Sequence, residues 1–175
     1  MKIEQYNFKA NQAIKTLPFE QANIVLVFGG RDWIETGAVY AQLHSSFPKA
    51  QIAFCSTAGE IHDTEVSDNS LSVTAIEFQK NTTRTNQVNI NQFSDSYSDG
   101  KHLIEEFSST GLRHVIVLAD GQLVNGSELV KGINDNLPTG VTVSGGLAGD
   151  GARFQKTLAC INNDIAQGNI VAIGL

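Results

Sequence analysis

A chain of 175 residues, 41% of them apolar, is long enough to bury one core and suits a single domain over 1–175. Twelve basic against eighteen acidic side chains give a formal net charge of −6, which leaves no basic stripe for a phosphate backbone and argues against nucleic acid as a partner. No apolar run reaches the length of a membrane span, and the opening MKIEQYNFKANQ lacks the apolar centre of a secretory signal. A cytoplasmic protein without membrane insertion is the expectation.

Along the chain, Ile24 to Phe28 is a continuous β-rich run, and Ile34, Ala38, Ala41 and Ser45 then recur at helical spacing. Strand followed by helix over roughly 33–47 is predicted, with Pro48 marking the end of the helix. Ile52 to Cys55 reads as a second short strand. Thr57-Ala58-Gly59-Glu60 behind it has the Thr-x-x-Glu spacing of a capping box, but residues 62–70 show no apolar period for a helix to follow. Those nine residues are expected to be a mobile polar flank.

The segments LSVTAIEF (71–78) and RTNQVNI (84–90) read as an antiparallel hairpin across Asn81-Thr82-Thr83. A helix is predicted around 97–109 on Leu103, Ile104 and Phe107. HVIVLADG (114–121) repeats the buried-strand pattern, and Asn125-Gly126-Ser127-Glu128 opens a helix carrying Leu129, Val130, Ile133 and Leu137. VTVSGG (141–146) is a fourth short strand, and KTLACI and NIVAIGL flank the turn-like Asn162-Asn163-Asp164. The fold expected is α/β, with a mostly parallel or mixed sheet, flanking helices and an inserted antiparallel hairpin.

Each of the four buried strands runs out into small or glycine residues with a carboxylate close by: Gly29-Gly30-Arg31-Asp32, Ser56-Thr57-Ala58-Gly59-Glu60, Asp120-Gly121 and Ser144-Gly145-Gly146-Leu147-Ala148-Gly149-Asp150. In open α/β sheets ligands lie beyond such strand ends, so one shared pocket is expected. Its hydroxyls, carboxylates and the arginines Arg31 and Arg153 would suit a small zwitterion.

CSTAGEI (55–61), DGQLVNGSELVKGI (120–133) and GGLAGDGARFQKTLACINN (145–163) resemble the N-terminal part of the FIST sensory domain, a bacterial signal-input module (FIST N). The resemblance extends over nearly the whole chain. It implies a non-catalytic sensor of a small ligand, with an amino acid the usual candidate. Occupancy would be relayed to a histidine kinase, a chemotaxis receptor or a cyclic-dinucleotide enzyme. It implies further that a FIST C-terminal domain follows in a longer chain. Motif matching carries over Ser56, Thr57, Gly59 and Glu60, then Asp120 and Asn125, then Gly145, Gly146, Gly149 and Asp150 as ligand-binding positions, without individual roles.

Some relatives are thought to bind haem and sense nitric oxide. Of the four histidines, His62, just past the STAGE turn, is the candidate iron ligand. An enzymatic alternative would place a metal among Asp32, Glu60, Asp120 and Asp150, or use Cys55 as nucleophile with His62 as base.

Overall fold

A computed structural model describes every residue except Asn11, Lys80, Asn81, Thr82 and Ser109. In chain order the elements are β1 (Lys2–Phe8), β2 (Ile24–Gly29), α1 (Arg31–Ile34), α2 (Ala38–Ser46), β3 (Gln51–Ser56), β4 (Glu60–His62), β5 (Glu65–Ser67), β6 (Leu71–Glu77) and β7 (Arg84–Asn89). They continue as α3 (Ser96–Glu105), β8 (His114–Ala119), α4 (Gly126–Asn136), β9 (Thr142–Leu147), β10 (Ala159–Ile161) and β11 (Asn169–Gly174). The fold is mixed α/β.

Two sheets carry the main strands. The first has the order β1-β6-β2-β3-β10 and the second β7-β11-β8-β9. Among the described strands of these two sheets, β2 with β3 and β8 with β9 run parallel, each pair joined by helical crossover, and the other strand pairs are antiparallel. Of the mostly parallel or mixed sheet expected, the mixed form is the one present, and it is divided between two sheets. The sheets lie face to face, with Ile24, Ala53, Cys55 and Ala159 of the first packed on Leu118, Val171 and Ile173 of the second. On the outer face of the first sheet, Val25, Val27, Ile52 and Phe54 meet Leu43 and Phe47 of the α2 region. On the outer face of the second, Val115, Val117, Ile170 and Ala172 meet Leu103, Ile104, Leu129 and Ile133 of α3 and α4. The layering is helix, sheet, sheet, helix, so central strands bury both faces and lose the period-two alternation.

Several local expectations change. The helix over 33–47 is broken into α1 and α2 by Gly37, whose φ of 71° is left-handed. The segments 71–78 and 84–90 do not pair with each other: β6 joins β1 and β2, whereas β7 joins β11 in the other sheet. Two residues of the proposed turn, Asn81 and Thr82, lie outside the described residues, as does Ser109 at the expected end of the third helix. The inserted antiparallel hairpin is instead β4 with β5, pairing Glu60 with Ser67 and His62 with Glu65, so that it starts in the STAGE turn and runs into the stretch 62–70 expected to be a mobile flank. Asp95 and Asn125 cap α3 and α4, accepting the N–H groups of Ser98 at 2.8 Å and Glu128 at 3.3 Å.

The two outer helices of the second sheet touch backbone to backbone. A Cβ on Gly132 would stand 2.1 Å from the Tyr97 carbonyl oxygen. Gly132→Ala should therefore lower the melting temperature by several degrees, because overpacking costs about 1–3 kcal/mol and exceeds the roughly 1 kcal/mol gained in helix propensity. A thermal melt that rises in this variant would contradict the close approach.

Candidate functional site

The ends of β2, β3 and β9 meet although they belong to different sheets. The Thr57 N–H donates to the Gly29 carbonyl at 3.1 Å, tying the first two ends together. Ser56 Oγ donates to the Gly149 carbonyl at 2.7 Å and accepts the Leu158 N–H at 2.9 Å, while the Gly149 N–H returns to the Ser56 carbonyl at 2.8 Å. A Cβ on Gly149 would lie 2.9 Å from the Ala58 nitrogen, so a side chain there would push the two corners apart. The 56–60 corner thus meets Gly149 and Asp150, whereas Gly145 and Gly146 of the same run lie along a separate groove, so the single shared pocket expected of all four strand ends is divided.

Asp150 organises this junction. Its side chain is fully buried, and its Oδ1 takes Arg153 Nε at 2.9 Å and Nη2 at 2.8 Å. Its Oδ2 takes the N–H groups of Gln155 and Lys156, both at 3.1 Å, and Arg31 Nη1 at 3.3 Å. Burial pushes its pKa up, but the two backbone N–H groups and both guanidinium charges outweigh that and hold the carboxyl below its ordinary range. Arg153 extends the network through Nη1 to Asp32 Oδ1 at 2.8 Å, and Lys156 pairs with Glu35.

Glu60 answers the helixless capping-box spacing. Thr57 Oγ1 donates to Glu60 Oε1, and Glu60 Oε2 accepts both the N–H and the Oγ of Ser70 at 2.8 Å. The Thr-x-x-Glu pair closes on itself across the turn and pins the far end of the β4–β5 excursion.

The ten positions singled out by sequence occupy three places. Thr57, Gly59, Glu60 and Asp150 line a polar cleft of about 400 Å³, together with Gly30, Asp32, Asp68, Asn69 and Arg153. Asn125, Gly145 and Gly146 lie instead along an apolar groove of about 700 Å³ between α4 and β9. Ser56, Gly149 and Asp120 act within the fold. Asp120 is wholly buried, its Oδ1 accepting the Gln122 and Leu123 N–H groups and Thr157 Oγ1, its Oδ2 the Gly168 N–H at 2.8 Å. Asp68 and Asn69 escaped sequence reading because they sit in the polar stretch that carries no period.

A family model described as the FIST N domain matches residues 23–175, which cover β2 through β11. The chain belongs to this family. FIST domains are a sensory family of signal transduction. No curated protein matches the chain significantly. No helix of this FIST N domain, among the described residues, is long and apolar enough to cross a membrane.

Cys55 and Cys160 are buried, and burial pushes both thiols up to about 12, so Cys55 carries no thiolate at neutral pH. Among the described residues no group of three or more His, Cys, Asp or Glu could hold a metal ion. His62 ends β4 with a buried Nδ1 that has no hydrogen-bond partner, and the lining of the large apolar groove includes no histidine. His62, the ligand named for the haem alternative, does not line that groove, so these residues do not fit that arrangement.

A depressed carboxyl contributes stability that is present above its unfolded value, about 3.9, and is lost as pH falls through the folded value. Asp150→Asn should cost about 1–3 kcal/mol near neutrality, since the largely buried Arg31 and two backbone N–H groups lose a charged acceptor while the exposed Arg153 turns to solvent, and the gap from wild type should begin to narrow below about pH 4. Chemical denaturation of both proteins from pH 3 to 7 checks this. Equal stability at neutral pH would contradict the role given to Asp150.

Proposed function

We propose that this FIST N domain is the input module of a signalling protein and that a small zwitterion, an amino acid in class, binds in the polar cleft at Thr57–Gly59, Asp68 and Arg153. The reading rests on one observation: corners from three strand ends enclose a cleft that carries both charge signs. Asp150 and Glu60 are already saturated with internal donors, so they shape the cleft and leave recognition to its rim. Arg153 Nη1, held by the exposed Asp32, is the cation a ligand carboxylate would recruit, and Asp68 and Asp32 are the partners for an ammonium.

Occupancy would shift Arg153 away from Asp32, and Asp32 lies in α1 beside Arg31 and Glu35. That gives a route from ligand to helix position: contacts made in one arrangement only bias the population between two. The recipient of the signal would be a histidine kinase, a chemotaxis receptor or a cyclic-dinucleotide enzyme, with a FIST C-terminal domain as neighbour.

A thermal-shift screen of free amino acids tests the proposal. At least one should raise the melting temperature in proportion to the logarithm of its concentration, with about 2.7 kcal/mol gained at a hundredfold excess over Kd. Arg153→Ala should abolish the shift while the protein remains folded. A screen with no stabilising amino acid, or an unchanged shift in Arg153→Ala, would contradict it.

A further inference from the structure

Strand β9 is the outer strand of the second sheet, and among the described residues no strand pairs with its far edge. The Thr142 N–H donates to the Arg113 carbonyl at 3.1 Å and the Ala148 N–H to the Ala119 carbonyl at 2.8 Å. Even-numbered residues therefore bond to β8, and alternation turns the N–H and C=O groups of Val143, Gly145 and Leu147 outward. Open edges are ordinarily blunted by charge or proline. The outer strand β1 of the first sheet follows that rule with Lys2 and Glu4, but β9, TVSGGL, carries neither.

The helix-facing side of this edge is apolar as well. Leu147 is 50% exposed and Val130 of α4 is 52% exposed, on either side of the 700 Å³ groove, whose lining residues include no ionisable side chain. At the middle of the strand Gly145 is obligatory, since a Cβ there would stand 1.9 Å from the Val117 carbonyl oxygen, and Gly146 faces open space. The edge thus presents two apolar residues, Val143 and Leu147, placed symmetrically about a bare backbone position.

We propose that β9 pairs antiparallel with β9 of a second copy of this chain, about a two-fold axis through Gly145, joining two four-stranded sheets into one. The strand is its own complement. With outward groups at 143, 145 and 147, odd must pair with odd, and centring on Gly145 sets Val143 opposite Leu147 of the second copy. Both residues point to the helix side, where they form a cross-strand apolar pair on each flank of the glycine. No charge on the strand repels its image, and Val130 from each α4 closes over the seam. The pairing involves none of the residues assigned to the ligand cleft.

Sedimentation equilibrium of the chain across micromolar to sub-millimolar concentration should show a species of twice 18.8 kDa. Leu147→Lys and Val130→Glu should each weaken it at least about tenfold, since each buries a charge at the seam. Hydrogen exchange on the unmodified protein reads the same contact without a substitution: the Gly145 and Leu147 amides should slow as the dimer fills. The proposal is overturned by a monomer at every concentration, by a dimer that both variants leave intact, or by a dimer in which those two amides exchange as fast as in the monomer.

Discussion

The structure turns on a buried carboxylate. Removing a charge from water costs several kcal/mol unless donors replace the solvent, and Asp150 meets that cost with two guanidinium groups and two backbone N–H groups. Because those donors come from α1 and from the loop at 153–156, satisfying one carboxylate fixes the geometry of both. The cleft beside it inherits its shape from this requirement. Glu60 does the same on the other wall by holding Thr57 and Ser70. Between these walls Arg153 and Asp32 are held in one ion pair, with Asp68 beside them in the cleft lining.

The same junction places the polar cleft at this end of the two-sheet fold. Gly149 and Ser56 exchange hydrogen bonds across the sheet interface, so the end of the second sheet's β9 is stitched to the end of the first sheet's β3. Asp120 performs a related task one strand over, joining the end of β8 to Thr157 and Gly168. Chain ends of strands in separate layers are thereby held at one rim, and the rim is where short, polar, glycine-rich loops can be tolerated without burying unpaired backbone.

Much of this could be read from residue order. The β-rich runs, the capped helix after Asn125 and the meeting of the 56–60 corner with Gly149 and Asp150 all followed from spacing and composition, whereas Gly145 and Gly146 lie apart from them. Strand direction did not. An apolar run such as NIVAIGL in β11 reports that both faces are buried, and two-sided burial arises between stacked sheets as readily as inside a parallel one; β11 is antiparallel to both its neighbours. The hairpin at 71–90 failed for a related reason, because β6 and β7 are adjacent in sequence and suited to pairing, yet each finds partners in a different sheet. Within the site, residue types could not separate a carboxylate that serves the fold from one that faces a ligand. Asp120, Glu60 and Asp150 all proved to be saturated internally, and only the distances show it.

The polar cleft is the place proposed for the small ligand. A two-dimensional amide NMR titration with the amino acid that stabilises the protein most would locate binding directly. Shifts concentrated on the Ala58, Gly59, Asn69, Gly151 and Arg153 amides, with smaller ones in α1, are the predicted result. Shifts confined to the β9 and α4 groove, or spread evenly over the surface, would contradict it.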